Sequence, residues 1–275
     1  MMQFIVAIFG LIFGSFLNVC ILRVPRKESI VSPGSHCPAC GSAIRWHDNI
    51  PVLSYVLRRG RCRDCGKRIS LLYPLVEILT AAVFLLEFRH YGLTPGFLKG
   101  AIFAMLMIVL VFTDLRERRI PHKITLFGIG LGIALSLLVP VDNRPIGWIL
   151  AHWRIFPSAV LLSLMGALVG ALVGGGLFFV VGEAFYHLRH KEGLGFGDVM
   201  LMLVVGVFCG PSLTLMTIML GSLLGTAIAI PLTLFSSKFR DYQWPYGSFL
   251  GIAAIYASIG GEALLRAYLS WGGFR

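Results

Sequence analysis

The chain alternates long apolar stretches with short polar ones, and this pattern predicts a helical membrane protein. A hydrocarbon core of ~30 Å needs about 20 apolar residues of helix, and irregular backbone is not stable against lipid. We predict about eight transmembrane helices, with seven as the alternative. One stretch, 198–210, is too short to cross alone at ~1.5 Å per residue, so it is either re-entrant or begins nearer Gly193. The stretches are 2–22, 71–91, 97–113, 124–140, 158–186, 198–210, 212–235 and 247–270.

Composition agrees with a membrane location. Of the 275 residues, 57% are hydrophobic and 13% are charged, whereas soluble domains have about 25% charged residues. The net charge of +11 would suggest nucleic acid in a soluble chain. In a membrane chain it indicates cytoplasmic loops rich in Lys and Arg, so we predict no nucleic-acid partner. The first stretch has no basic segment before it and "RVPRK" after it. We therefore predict a retained anchor rather than a cleaved signal peptide.

The distribution of basic residues predicts the orientation. Four polar segments hold 18 of the 24 Lys and Arg residues, and cytoplasmic loops carry such an excess. We therefore predict that these segments are cytoplasmic and that both termini are outside. The segments are 23–70, 114–123, 187–197 and 236–246. The predicted fold is an all-α polytopic membrane protein with a cytoplasmic zinc-binding loop domain. Its parts are a first transmembrane helix (1–22), the loop domain (23–70) and a membrane-embedded domain (71–275).

Four cysteines in the 23–70 loop form two C-x-x-C pairs, Cys37 with Cys40 and Cys62 with Cys65. Each pair is followed by a glycine, as in a zinc knuckle, where the chain turns tightly under the metal. Four thiolates make a closed tetrahedral zinc site, which supports folding rather than catalysis. Two disulfides are the first alternative, but a cytoplasmic loop is kept reduced. A redox C-x-x-C motif is the second, and it lacks the βαβ context that usually accompanies it.

Two aspartates adjoin apolar stretches on the predicted cytoplasmic side. Asp114 ends the third stretch, and Asp198 opens the sixth. Ionisable groups at membrane depth are costly and are candidates for function. Two carboxylates that share a site hold one proton between them, so one can accept a proton from water while the other donates to a carbonyl, as in aspartic proteases. The alternatives are a helix N-cap for Asp198 and an ion pair at a helix end for Asp114.

Two glycines precede the second aspartate in "GFGD". Gly195 and Gly197 are expected to allow a positive φ and to let another chain approach Asp198 closely. They are therefore predicted to admit the substrate backbone.

Several motifs together make the chain resemble the type IV prepilin peptidases, of the bifunctional leader peptidase and N-methyltransferase kind. The resemblance covers nearly the whole chain. It rests on "GSFLNVCILRVP", the two cysteine knuckles with "IRWHDNIPVLSY" between them, "YPLVEILTA", the Asp114 segment ending in "IPHKIT", "GFGD" and "WPYGSFLGIAA". The Gly-x-Gly-Asp element alone is less specific, because presenilin-like intramembrane proteases share it.

The resemblance implies a function and a location. It implies that Asp114 and Asp198 are the catalytic pair, and that the protein lies in the bacterial inner membrane. It also implies cleavage of the leader of prepilins and pseudopilins on the cytoplasmic side, just after a glycine. The new N-terminal residue, usually Phe, would then be methylated with S-adenosylmethionine. The chain departs from the family pattern at Met200, where Lys is frequent, and at His122, where Asp or Asn is frequent.

The methyltransferase half has the weaker sequence signal, because no Gly-rich fingerprint of a Rossmann-type cofactor site occurs. Glu77 lies just inside the second stretch, and Arg23 ends the first on the same predicted side. Both are candidates for binding the cofactor or the substrate amine, and a structural ion pair is the alternative.

Other functional classes remain open at this point. One is a cation or proton transporter with a regulatory zinc loop, although transporter sites lie near the bilayer midplane rather than at one face. Another is a non-enzymatic assembly factor, and a third is a peptidase without methyltransferase activity.

Overall fold

The computed structural model describes residues 1–190, 194–235, 242 and 244–271, and its regular structure is helical. Parts of two predicted cytoplasmic loops, 187–197 and 236–246, lie outside the described residues. The helices are α1 (Met2–Arg23), α2 (Leu53–Leu57), α3 (Leu72–Tyr91), α4 (Pro95–Glu117), α5 (His122–Ser136), α6 (Arg144–His152), α7 (Ala159–Ala171), α8 (Leu177–Arg189), α9 (Phe196–Cys209), α10 (Pro211–Phe235) and α11 (Tyr246–Trp271). A 3₁₀ turn (Trp46–Asn49) precedes α2, and a π-helical segment (Leu172–Gly176) joins α7 to α8.

Every predicted apolar stretch coincides with a helix. Within the described part of the chain, five helices are long and apolar enough to cross a membrane: α1, α4, the continuous α7–α8 rod, α10 and α11. Two further apolar helices, α5 and α9, are shorter. The prediction of an all-helical membrane chain is confirmed in this form, while the count of eight crossings stays a prediction.

The chain divides into two compact units, Met1–Val109 and Leu110–Arg275. In the first unit, α1 packs along α3. The two backbones approach closely where α1 carries glycine. A Cβ on Gly10 would lie 2.5 Å from the Ala81 Cα, and one on Gly14 would lie 2.6 Å from the Glu77 Cα. Small residues at these crossings therefore hold α3, and with it Glu77, against α1.

In the second unit, α9 is the central helix. It packs against α5, α7, the π-helical segment, α8, α10 and α11. All of its residues from Val199 to Cys209 except Leu203 are buried. The helix has 14 residues and is thus about 21 Å long. A helix this short and this buried is surrounded by protein rather than lipid, so Asp198 in its first turn does not face hydrocarbon.

Close glycine contacts fit α9 to its neighbours. A Cβ on Gly206 would lie 2.3 Å from the backbone of Gly170 in α7, and one on Gly174 would lie 2.6 Å from the Met202 carbonyl oxygen. The π-helical segment that contains Gly174 therefore packs directly on α9. At the far end of α9, Gly210 takes a φ of +77°, and the chain turns at once into α10.

Among the described residues, two short helices lie outside the predicted stretches. One is α2 (Leu53–Leu57) in the cysteine loop, and the other is α6 (Arg144–His152), between α5 and α7. Trp148 and Trp153 on and just after this helix are 76% and 72% exposed. The helix has nine residues, and its apolar residues are too few to register as a stretch.

Candidate active site and metal site

Asp114 lies in the last turns of α4 and is 6% exposed. The helix ends soon afterwards because Arg118 adopts a φ of +51° while its amide donates to the Asp114 carbonyl oxygen at 2.8 Å. Such a left-handed residue closes a helix C-terminus. The sequence then reaches Pro121, which cannot continue the ladder and precedes α5. This arrangement leaves the Asp114 side chain inside the second unit rather than paired with an arginine.

Asp198 lies in the first turn of α9, and Gly195 is the N-cap residue. The Asp198 amide donates to the Gly195 carbonyl oxygen at 2.9 Å. The alternative that Asp198 is itself the N-cap is therefore wrong. Its carboxylate is left inside the unit, three residues into the helix.

The two carboxylates converge on Gly247 in the first turn of α11. A Cβ placed on Gly247 would lie 2.8 Å from Asp198 Oδ1 and 3.1 Å from Asp114 Oδ2. Asp198 Oδ1 and Asp114 Oδ2 therefore both lie within 3.1 Å of a single point beside Gly247. Residues from α4 and α9 that are far apart in sequence thus form one carboxylate pair, as the sequence predicts. Because Gly247 has no side chain, its backbone lies directly beside both carboxylates.

Ser248 holds one member of this pair. Its amide and its hydroxyl both donate to Asp114 Oδ2, each at 2.8 Å. The hydroxyl also lies 3.2 Å from the Val111 carbonyl oxygen, one turn earlier in α4. Sequence reasoning did not identify Ser248 as a site residue. The only signal was its place in "WPYGSFLGIAA", one of the motifs that carry the family resemblance.

The two predicted glycines occupy different settings. Gly195 has a φ of −69°, and Gly197 is within the helix, so the expected left-handed conformation is wrong for both. Gly197 packs on Ile120, since a Cβ there would lie 3.0 Å from the Ile120 Cβ. Gly195 is exposed, and among the described residues a Cβ there would contact one side chain, the Asp198 carboxylate at 3.6 Å.

The four loop cysteines form one cluster. All Sγ atoms of Cys37, Cys40, Cys62 and Cys65 lie within 4.8 Å of one another, and those of Cys37 and Cys65 are 3.9 Å apart. Thiolates bound to zinc at about 2.3 Å in a tetrahedron are about 3.8 Å apart. The donor set therefore fits a tetrahedral metal. All the cysteines are free thiols, so the two-disulfide alternative is not formed.

The two knuckles repeat the same backbone geometry. In the first, the Gly41 amide donates to the Cys37 carbonyl oxygen at 2.9 Å; in the second, the Gly66 amide donates to that of Cys62 at 3.1 Å. The glycines have φ values of +73° and +68°, as the knuckle interpretation requires. In the first knuckle, hydrogen bonding between the Cys40 sulfur and the hydroxyl and amide of Ser42 lowers the pKa of this thiol to about 6, which favours the metal-binding thiolate.

Arg23 is buried at the end of α1, where it organises the loop that follows. Its guanidinium donates to the carbonyl oxygens of Ser29, Pro33 and Gly34 at 3.0, 2.7 and 3.0 Å. These three bonds fold the 23–34 segment around the arginine. Its predicted role in cofactor or substrate binding stays a prediction.

Glu77 is buried on α3, and its Oε2 accepts a hydrogen bond from the Val52 amide at 2.8 Å. The side chain therefore ties α3 to the loop segment between the knuckles. The interface ion pair considered from the sequence does not explain the position of Glu77, because its hydrogen-bond partners are the Val52 amide and the Ser15 side chain.

A second group of charges lies within the loop itself. Asp48 accepts from Arg58 Nε at 2.6 Å and from Arg63 Nε at 2.8 Å. Arg63 sits between the cysteines of the second knuckle, so this cluster connects that knuckle to the inter-knuckle segment. Sequence reasoning missed the cluster, because the residues around Asp48 in the sequence do not indicate which arginines will contact it in the fold.

Two family models match the sequence of this chain. A family model described as "Bacterial Peptidase A24 N-terminal domain" matches residues 8–91, and one described as "Type IV leader peptidase family" matches residues 101–230. The second match contains both aspartates, and the first contains the four cysteines.

Relatives with similar sequences carry one name, "Prepilin leader peptidase/N-methyltransferase". That of Aeromonas salmonicida is 31% identical over 97% of this chain and 93% of its own length. That of Bacillus subtilis is 28% identical over 96% and 97%. That of Myxococcus xanthus is 36% identical over 84% of this chain, but the match spans only 63% of the relative's length. No solved structure is a significant match.

Proposed function

Because the chain belongs to the type IV leader peptidase family, we propose that it cleaves the leader of type IV prepilins or pseudopilins after a glycine and then methylates the new N-terminal residue. The observation that carries the peptidase half is the convergence of Asp114 and Asp198 on Gly247. A carboxylate pair of this kind hydrolyses a peptide bond without a metal or a covalent intermediate.

The chemistry follows from one proton shared between two carboxylates. The ionised member takes a proton from water, and the water oxygen attacks the carbonyl carbon of the scissile bond. The protonated member gives its proton to the carbonyl oxygen. When the tetrahedral intermediate collapses, the C–N bond breaks and the leaving nitrogen takes a proton from the pair. A hydroxyl group of the intermediate returns its proton to the pair as the new carboxyl group forms, so the pair again holds one proton. The scissile bond must be extended to reach this site, and the exposed Gly195 backbone is where we propose it enters.

We propose that both steps occur on the cytoplasmic side of the bacterial inner membrane. The bias of Lys and Arg supports this orientation, and eight crossings satisfy it. In this arrangement residues 1–22 form the first crossing, 23–70 the cytoplasmic metal-binding domain and 71–275 the membrane-embedded peptidase domain. The lipid bilayer and the prepilin are the partners.

We propose that the four-cysteine cluster binds one structural zinc ion. A closed set of four thiolates leaves no open position for substrate. Its role is then to hold the loop between α1 and α3, which has few buried apolar residues of its own.

S-adenosylmethionine is the methyl donor of the second step in this proposal, and Arg23 and Glu77 belong to the region that supports it. Both side chains already hold backbone of the 23–70 loop. We therefore expect them to shape the cofactor site through that loop. Labelled S-adenosylmethionine would test this step: wild-type protein labels the mature N-terminus, while Glu77→Ala cleaves normally but labels poorly. Absence of label with the wild type would leave a peptidase alone.

The peptidase proposal is tested with full-length protein in detergent and a peptide that spans the leader and the start of the mature pilin. Cleavage is expected for the wild type and is expected to be lost in both Asp114→Asn and Asp198→Asn. Asp64→Asn, an exposed acid in the loop, is the matched control and should cleave normally. Cleavage that survives either of the first two substitutions would contradict a two-aspartate mechanism.

A further inference from the structure

The two carboxylates of the pair have unequal surroundings. Asp114 Oδ2 accepts two hydrogen bonds from a single residue, the amide and the hydroxyl of Ser248. Ser248 is 1% exposed and lies in the first turn of α11, where its amide also donates to the Pro245 carbonyl oxygen at 3.2 Å. Asp198 has one such donor among the described residues, the Gly195 backbone at the start of its own helix.

This asymmetry bears on which carboxylate carries the shared proton. An oxygen that accepts from two donors is proton-free, because an ionised carboxylate only accepts hydrogen bonds. Hydrogen bonds to a charged acceptor are about twice as strong as neutral ones. Both carboxylates lie near a helix N-terminus, Asp114 beside that of α11 and Asp198 in the first turn of α9, so what distinguishes them is the two donors to Asp114 Oδ2. Asp114 is therefore the better place for the negative charge, and the proton is left to Asp198.

We propose that Ser248 is a positioning residue that keeps Asp114 as the ionised member of the pair. Asp114 then removes the proton from water with its other oxygen, Oδ1, while Oδ2 stays bound to Ser248. Asp198 donates the shared proton to the substrate carbonyl oxygen. When the C–N bond breaks, Asp114 returns its proton to the leaving nitrogen, and Asp198 regains a proton as the new carboxyl group forms. This inference rests on the proposed peptidase function.

The hydroxyl of Ser248 has a second acceptor, the Val111 carbonyl oxygen at 3.2 Å. Val111 and Asp114 are one turn apart in α4, so the hydroxyl lies between two oxygens of the same helix. When Asp114 gains a proton during the reaction, the hydroxyl can donate to Val111 without being left unsatisfied. The site can therefore pass through both charge states without leaving a buried polar group unpaired.

The inference is tested by removing only the hydroxyl. Ser248→Ala keeps the amide bond to Asp114 and loses the hydroxyl bond. Ser248→Thr restores a hydroxyl at the same place. Ser258→Ala, three turns further along α11, where the hydroxyl donates to its own helix at the Ile255 carbonyl oxygen, is the matched control. For each variant, kcat and KM for the leader peptide and the melting temperature in detergent are measured.

We expect Ser248→Ala to lower kcat by about ten- to hundredfold, the effect of one charge-assisted hydrogen bond, with KM unchanged. Ser248→Thr should recover most of the loss, and Ser258→Ala should match the wild type. An unchanged kcat, an effect on KM alone, or a loss that Thr does not restore would overturn the proposal. Inactive wild-type protein would instead contradict the peptidase function itself, so the two failures are distinguishable.

Discussion

The Glu77 carboxylate accepts a hydrogen bond from the Val52 amide at 2.8 Å, and Val52 has a φ of +60° and a ψ of −48°. The next amide, that of Leu53, donates back across this residue to the Pro51 carbonyl oxygen at 2.6 Å. Val52 is thus the central residue of a classic γ-turn, a rare and strained conformation, more so for a β-branched side chain. The buried acid of α3 therefore stabilises a turn that the valine itself disfavours.

Substituting Val52 with glycine should relieve this strain. Relief of backbone strain of this kind stabilises the folded loop by about 1–3 kcal/mol. The larger conformational entropy of glycine in the unfolded chain opposes this by about 0.5–1 kcal/mol. We expect Val52→Gly to leave the loop as stable as the wild type or more stable by about 1 kcal/mol. The measurement is the rate of limited proteolysis between residues 46 and 57.

Val56→Gly is the matched control for this prediction. Val56 is 64% exposed and lies within α2, so the same substitution there should cost up to about 1 kcal/mol and speed proteolysis. Equal destabilisation by both substitutions would contradict the strain at Val52.

A second prediction concerns Asp48, because its arginine partners make the loop sensitive to acid. The hydrogen bond from Arg63, followed by the interactions with Arg58, lowers the pKa of Asp48 to about 2, against about 3.9 in an unfolded chain. A lowered pKa in the folded state means that these interactions stabilise the loop above about pH 4 and are lost as the pH falls towards 2.

We therefore expect Asp48→Asn to destabilise the loop equally at pH 7 and pH 5, and by progressively less below pH 4. The quantity to compare at each pH is the difference in proteolysis rate between variant and wild type, because any acid release of metal affects both. Asp64→Asn should show no difference at any pH. An Asp48→Asn effect that grows on acidification would contradict the assignment.

The features that sequence predicted best are those encoded locally. Apolar stretches predicted the helices because membrane helices bury their backbone polar groups within one continuous segment. The metal cluster was predicted because each knuckle needs only a C-x-x-C pair and the glycine that follows it. The two aspartates were predicted to meet because the charge bias put both at one face, and each ends or opens an apolar run.

Contacts between distant segments were not predictable in this way. Ser248 reaches Asp114 across 134 positions of sequence, and a serine in an apolar helix carries no signal of its own. The Glu77–Val52 hydrogen bond likewise depends on how α3 lies beside the loop. The conformation expected at Gly195 was wrong for a related reason. A Gly-rich sequence does not fix the sign of φ, and as the N-cap of α9 this residue has a φ of −69°.

A third prediction concerns the metal. Full-length protein should contain about one zinc per chain, because the four Sγ atoms form a single tetrahedral set. Cys37→Ser should lose the metal and raise the proteolysis rate of the whole 23–70 loop. Cys20→Ser removes a thiol that is buried in α1, and it should keep the full zinc content. Metal content that is unchanged in Cys37→Ser would exclude a four-cysteine site.

The last prediction uses the close approach of Gly247 to both aspartates. A Cβ there would lie 2.8 Å from Asp198 Oδ1, 3.1 Å from Asp114 Oδ2 and 2.8 Å from Ile120, and real Cβ atoms almost never come within 3.0 Å of another heavy atom. Gly247→Ala should therefore push the carboxylates out of position. We expect cleavage to fall by about a hundredfold or more, since misplacement by 1 Å can cost that much. Gly260→Ala in the same helix is the control and should leave activity intact, because the nearest described atoms to a Cβ there belong to the Tyr256 side chain, at an ordinary contact distance of 3.5 Å. Near-normal cleavage by Gly247→Ala would mean that the two aspartates do not act where the structure brings them together.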